Sequence, residues 1–131
     1  MQINPLYYSA FGSHLRTLID EPWAHLVMPL DRLREEVLHG SKVTSHRGLD
    51  NALLGSDPRS AEWRKSVWTT YCGLNRVTFR ELRHEIERAG FDILDEVTSK
   101  LDLEPPEHLL EVYRPEILVQ DGLRMVYRRR R

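Results

Sequence analysis

Residues 78–97 constrain the fold more than any other part of the sequence. Thr78 and Glu81 have the spacing of a helix capping box, in which each side chain hydrogen-bonds the backbone N–H of the other residue. An apolar stripe at helical spacing follows, Gly90 supplies a stop signal, and residues 91–97 have the composition of a strand. A helix followed by a glycine and a strand is the second half of a strand–helix–strand unit, so the sequence predicts an α/β fold.

Two further helices are predicted in the first half of the chain. Apolar residues at helical spacing predict a helix over residues 30–38, which Gly40 would end. Asp57-Pro58 predicts a second helix start, with the aspartate as cap and the proline at the first helical position. That helix would end at Gly73, and its apolar face would consist of Trp63, Val67, Trp68 and Tyr71.

Strand and loop signals occupy the remaining segments. Residues 123–127 alternate apolar and polar side chains, which predicts a half-exposed final strand, and Asp121-Gly122 before them predicts a turn. Residues 1–4 have the character of the last residues of a strand. Residues 41–57 are polar and irregular, and a loop of this length is often a lid or a binding segment.

Composition limits the class of protein. The chain of 131 residues is 40% hydrophobic with a net charge of −1, which predicts one globular domain without a field that attracts nucleic acid or a membrane. We expect Arg128–Arg131 to be a solvated tail rather than a phosphate or nucleic-acid contact. The single cysteine, Cys72, excludes an internal disulfide and is expected to be a buried thiol in a cytoplasmic protein. We expect no signal peptide and no membrane span, because residues 1–8 lack a basic region followed by an apolar run and no apolar stretch approaches about 20 residues.

Four segments follow one another in the order found in a known family. The first, Asn4–Leu15, leaves a strand through Asn-Pro and an aromatic turn, and the second is Pro-Trp-Ala-His-Leu at residues 22–26. The third is Leu-Asn-Arg-Val-Thr at 74–78, followed by the capped helix, a glycine and a strand, and the fourth is Asp-Gly at 121–122 before the last strand. Together they resemble the C-terminal portion of class I S-adenosylmethionine-dependent methyltransferases.

The resemblance covers nearly the whole chain but only the latter half of such a domain. It implies an α/β fold that is the C-terminal part of a Rossmann-like methyltransferase sheet, with about three strands and flanking helices. The last strand would run antiparallel to its neighbours. Residues 1–131 would form a single partial methyltransferase-like domain, with a helical and loop insertion at about 13–73.

The cofactor-binding half of such a domain is absent from this sequence. The family holds S-adenosylmethionine with a glycine-rich loop and an acidic residue, because glycines let a helix N-terminus approach the ligand and a carboxylate binds the ribose hydroxyls. The seven glycines here are at least seven residues apart, so no such loop exists. We therefore expect a truncated chain that does not bind S-adenosylmethionine alone, whereas its full-length parent does. A missing N-terminal half on another chain is the alternative.

The resemblance also points to candidate catalytic and substrate-binding residues near the start of the chain. His14 is the candidate general base, because histidine titrates near neutrality; the alternative, that it packs against or hydrogen-bonds the turn, is the more common role of such a residue. Tyr7 and Tyr8, with Phe11, would form a wall of the substrate or adenine pocket, or else belong to the core.

Two further pairs complete the predicted site. Trp23 and His25 would line a substrate-covering lid or, alternatively, belong to a loop anchored by the tryptophan. Asn75 and Arg76 precede a helix cap, and the resemblance places them near the opening of the substrate pocket. Arg76 would either pair with a phosphate or carboxylate or be solvated. No metal site is expected, because the six histidines lack ligand spacing.

The implied function is methyl transfer to a small-molecule or sugar-lipid acceptor by the full-length parent, this chain being the substrate-side fragment and inactive alone. The alternative is a non-enzymatic module that binds a partner through the Trp63 face. Nucleic acid is not an expected partner, because the chain carries no basic excess.

Overall fold

The computed structural model describes residues 1–44, 57 and 60–131, so most of the predicted loop at 41–57 lies outside the described residues. The chain divides into two compact units. The first, here called the sheet unit, comprises Met1–Gly12 and Asn75–Arg131. The second, the helical unit, comprises Ser13–Leu74.

The sheet unit contains, among the described residues, three strands: β1 (Gln2–Ile3), β2 (Phe91–Lys100) and β3 (Gln120–Arg129). Their order is β1-β3-β2, and both pairs are antiparallel. The helices of this unit are α4 (Phe79–Arg88), α5 (Glu107–Leu110) and α6 (Pro115–Val119). The described part of the chain is therefore a mixed α/β fold with a small antiparallel sheet.

The core of the sheet unit lies between the sheet and α4. Side chains alternate between faces along a strand, and Leu123 and Met125 of β3 are buried together with Leu6. The partly buried side chains packed against this cluster are Ile3, Phe79, Leu82, Ile86 and Ile93. Because three of these belong to α4, that helix covers one face of the sheet.

Helix α4 begins and ends as the sequence predicts. The Thr78 hydroxyl accepts from the Glu81 backbone N–H at 3.2 Å, and Glu81 Oε2 accepts from the Thr78 N–H at 2.7 Å. A cap of this kind stabilises a helix by about 1 kcal/mol. Beyond the helix, Gly90 has φ of +86°, the left-handed conformation that glycine adopts without strain.

The predicted turn at Asp121-Gly122 is wrong, because both residues lie within β3. The register with β2 is irregular there: Ser99 pairs with Gly122 but Lys100 pairs with Gln120, which leaves Asp121 without an opposite residue. An extra residue in one strand is a β-bulge, which favours the same residue types as a turn.

The helical unit has, in its described residues, α1 (Ala24–Val27), α2 (Leu30–His39) and α3 (Ala61–Cys72). Helix α2 confirms the helix predicted over 30–38, with Gly40 as its C-cap. Helix α3 ends before Gly73 as predicted, but its N-cap is Ser60, whose hydroxyl accepts from the Trp63 N–H at 3.2 Å, and not Asp57.

Helices α2 and α3 pack against each other through a buried arginine and apolar side chains. Arg64 is only 5% exposed, and its guanidinium donates to the carbonyl oxygens of Val37 at 2.8 Å and Glu36 at 3.3 Å. These carbonyls lie in the last turn of α2, where few intrahelical donors remain, and the Glu36 oxygen also accepts from the Gly40 backbone N–H at 3.0 Å. The arginine therefore caps α2 from α3.

The apolar face of α3 is mostly covered within the chain, since Trp63, Val67 and Tyr71 are buried and Trp68 is half-buried. Cys72, at the end of the same helix, is exposed, so its prediction as a buried thiol is wrong. Its neighbour Tyr71 is buried, and successive residues of a helix are about 100° apart, so the Cys72 side chain leaves the buried face. Nowhere in the described part of the chain is there a helix long and apolar enough to cross a membrane.

Candidate functional site

Three tyrosines and an arginine meet in the sheet unit, and we call Tyr7, Tyr8, Tyr113 and Arg76 the aromatic cluster. The Tyr7 and Tyr8 rings are 5.1 Å apart in an edge-to-face arrangement, and the Tyr8 and Tyr113 rings are 5.5 Å apart and tilted. The Arg76 guanidinium carbon lies 5.4 Å from the centre of the Tyr7 ring, within cation–π range. The cluster thus presents aromatic rings beside a fixed positive charge.

The aromatic turn is held against β3 by hydrogen bonds to Asp121. The Leu6 N–H donates to the Asp121 carbonyl oxygen at 2.6 Å, and the Ser9 hydroxyl donates to Asp121 Oδ1 at 2.8 Å. Ser9 is fully buried, so its hydroxyl needs this partner to offset the loss of water. Asp121, at the bulge of β3, therefore determines where the two tyrosines lie.

Close backbone packing completes the turn. The Gly12 N–H donates to the Ser9 carbonyl oxygen at 3.0 Å, and the Ser9 N–H donates to the Leu6 carbonyl oxygen at 3.0 Å. A Cβ atom on Gly12 would overlap the carbonyl oxygens of Leu6 and Tyr7. Only glycine fits at this position, which gives a steric reason for the glycine at the end of the aromatic turn.

The Tyr8 hydroxyl is a hydrogen-bond donor at neutral pH. It donates to the Arg76 carbonyl oxygen at 3.0 Å. Partial burial, followed by the nearby Tyr113 and the charge of Glu81, raises the pKa of Tyr8 above its usual value of 10.0, while the Arg76 charge opposes the rise. A tyrosine with a raised pKa can orient a ligand or a backbone segment but is a poor base near neutrality.

The structure brings together three of the predicted substrate-binding residues, Tyr7, Tyr8 and Arg76. Tyr7 is 8% exposed and serves as packing support, whereas Tyr8 is half-buried and Arg76 is exposed. Asn75, the neighbour of Arg76, is also exposed. Two residues of this region were not predicted from the sequence. Tyr113 belongs to no motif, and Asp121 was assigned to a turn because Asp-Gly is a common turn sequence.

The other three predicted site residues belong to the helical unit. His14 is half-buried in the left-handed conformation, with φ of 60°, which is uncommon for a residue other than glycine. The preceding Ser13 hydroxyl accepts from the Leu15 N–H at 3.3 Å. Trp23, also left-handed at φ of 58°, is 2% exposed, and His25 is 7% exposed. Burial of Trp23 favours the anchored-loop alternative over a ligand-facing lid residue.

The described residues do not contain the motif with which the family binds S-adenosylmethionine. Strand β1 is followed by Asn4-Pro5 and the aromatic turn, and β2 is followed by residues 101–106, which contain two prolines and no glycine. Within the described ranges, no strand leads through a glycine-rich loop into a helix N-terminus. The same residues bring no three histidine, cysteine or acidic side chains together as a metal site.

The chain matches no protein-family model, no curated protein and no solved structure.

Proposed function

We propose that this chain is the C-terminal, substrate-side part of a class I S-adenosylmethionine-dependent methyltransferase whose sheet is Rossmann-like. The observation that carries the proposal is the direction of β3. It runs antiparallel to both of its neighbours, as the resemblance implies for the family's last strand. The chain order of a short strand, a capped helix with its strand, and a final antiparallel strand also agrees with that resemblance.

The edges and faces of the sheet supply further support. In the described part of the chain, β1 is an edge strand with one partner, β3, and an unpaired edge is a place where another strand can add. On the face opposite α4, Val97 and Val126 are 46% and 50% exposed. Open α/β sheets are normally covered by helices on both faces, so these apolar side chains fit a sheet that extends beyond the described strands.

In this proposal the aromatic cluster belongs to the substrate side. The Tyr8 and Tyr113 rings would pack against the acceptor, and the exposed Arg76 guanidinium would bind an anionic group of a small molecule or sugar-lipid. His14 remains the proposed general base, acting on an acceptor hydroxyl or amine. The chain alone is proposed to be inactive, because the described residues do not fit the cofactor.

The partner-binding alternative is weaker on this structure. It depends on an exposed apolar face of α3, but Trp63, Val67 and Tyr71 of that face are buried within the chain and Trp68 is half-buried. A face covered by its own chain supplies little area for a partner.

The test is to sequence the DNA upstream of the Met1 codon and translate it in the same frame. A strand followed by closely spaced glycines in an open frame supports the proposal. A stop codon immediately upstream, with no coding sequence for such a loop nearby, argues against it. A separate titration of the purified 131-residue chain with S-adenosylmethionine is expected to give no saturable heat. Saturable binding would contradict the inactivity of this chain alone without affecting its family.

A further inference from the structure

The last four residues of the sequence form a basic pocket at the end of the sheet. A cavity of 420 Å³ is lined by Asp92 and Arg128–Arg131, and we call it the arginine pocket. Its lining consists of four guanidinium groups and one carboxylate, which leaves three positive charges in excess. So high a local charge contrasts with the nearly neutral chain.

The arginines are more ordered than a solvated tail. Strand β3 continues the ladder to Arg129, with Asp92 opposite Arg128 and Phe91 opposite Arg129. Beyond the strand, the Arg130 backbone N–H still donates to the Gly90 carbonyl oxygen at 2.8 Å. The backbone that carries these side chains is therefore fixed to β2 through residue 130.

A single ion pair leaves most of this charge uncompensated. Arg130 Nε donates to Asp92 Oδ1 at 2.7 Å, and both side chains remain about half exposed. In the described ranges, Arg128, Arg129 and Arg131 make no ion pair with a carboxylate. Guanidinium groups offer planar pairs of N–H donors that match phosphate oxygens. Because alternate residues of a strand lie about 7 Å apart on one face, Arg129 and Arg131 share one face, and Arg128 and Arg130 share the other with Asp92.

We propose that the arginine pocket binds a phosphate-bearing ligand, with Arg129 and Arg131 as the binding groups and the Asp92–Arg130 pair as the support that orders the strand end. The ligand chemistry is a terminal phosphate or diphosphate, either free in solution or on a lipid headgroup. The inference is independent of the proposed methyltransferase origin, because it uses no residue of the aromatic cluster.

The experiment uses inorganic pyrophosphate as the probe, titrated into the full 131-residue chain by calorimetry at low salt. We expect saturable binding that the double variant Arg129→Gln/Arg131→Gln weakens about tenfold or more, because charge-assisted hydrogen bonds are lost. The matched control is Arg32→Gln/Arg114→Gln, which removes the same charge from exposed arginines outside the pocket and should change affinity less than twofold. Binding should weaken as salt is raised.

A second measurement does not depend on the variants folding. Two-dimensional NMR spectra of the wild-type chain should show pyrophosphate-induced shifts confined to residues 90–92 and 128–131. Sedimentation with phosphatidylcholine vesicles, with and without phosphatidic acid, distinguishes the sources. Binding only to the phosphatidic acid vesicles identifies a headgroup, and binding only to pyrophosphate identifies a soluble ligand.

The proposal is overturned by any of three results. The chain could bind neither probe, or the control variant could lose as much affinity as the pocket variant, which would mean non-specific attraction. Binding restricted to single-stranded or duplex DNA would replace a phosphate pocket with a nucleic-acid contact.

Discussion

The Tyr8 hydroxyl donates a 3.0 Å hydrogen bond to the backbone carbonyl of Arg76, 68 residues further along the chain. This bond joins the aromatic turn after β1 to the segment that leads into α4. The same arginine places its guanidinium over the Tyr7 ring. One residue of the second segment thus contacts both tyrosines of the first, and together they define the proposed substrate side.

Replacing Tyr8 by phenylalanine should lower the free energy of unfolding by about 0.5–1 kcal/mol, because the ring contacts remain but the partly exposed hydrogen bond is lost. Urea unfolding monitored by circular dichroism measures the change. Tyr113→Phe is the matched control, since the structure gives its hydroxyl no comparable bond to Arg76, and it should be nearly neutral. Equal losses in the two variants would assign the effect to ring packing rather than to the Tyr8 bond.

Tyr8 should also make stability depend on pH in the alkaline range. Its pKa in the folded chain is raised above 10.0, mainly by burial, so the folded state holds this proton more tightly than the unfolded state. The contribution is fully present below about pH 10, the unfolded pKa, and is lost as the pH rises through the folded value. Unfolding curves across this range should show less pH dependence for Tyr8→Phe than for the wild type, and identical slopes would contradict the shift.

Gly12→Ala tests the steric argument for the aromatic turn. A Cβ at this position would overlap two backbone carbonyl oxygens, so the turn must shift, at a cost of about 2 kcal/mol or more. Gly73→Ala is the control: its Cβ would meet the nearest backbone oxygen at 3.6 Å, an ordinary contact, and its φ of −88° suits alanine. The two midpoints of chemical unfolding should therefore differ clearly, and similar midpoints would show that the turn adapts.

Elements that depend on close neighbours were predicted correctly. The capping box of Thr78 and Glu81 lies within one helical turn, and the left-handed Gly90 follows directly, so residue types alone indicate the backbone there. Helix α2 and its glycine C-cap were predicted for the same reason. The cap of α3 was misplaced because both Asp57 and Ser60 are good capping residues, and the sequence does not rank them.

Features that depend on distant residues were not predictable. Asp121-Gly122 forms a bulge and not a turn because the end of β2, about 20 residues earlier in the sequence, pairs with this part of β3. Of the aromatic cluster, Tyr7, Tyr8 and Arg76 were predicted through the family resemblance, whereas Tyr113 was not, since an isolated tyrosine carries no signal of where it packs. The interaction of Arg64 with α2 was missed because a buried arginine and a solvated one have the same sequence pattern.

Arg64→Met should destabilise the chain although methionine fills a similar volume and suits a helix. The arginine is nearly fully buried and donates to the Val37 and Glu36 carbonyl oxygens at the end of α2, of which the Glu36 oxygen also accepts from the Gly40 N–H. Loss of charge-assisted bonds to the negative end of a helix should cost about 2 kcal/mol. The neighbouring Lys65→Met is the control, because Lys65 is exposed and its replacement should change stability by less than about 0.5 kcal/mol. If both variants unfold at the same denaturant concentration, Arg64 does not cap α2, and packing of α2 on α3 depends on the apolar side chains alone.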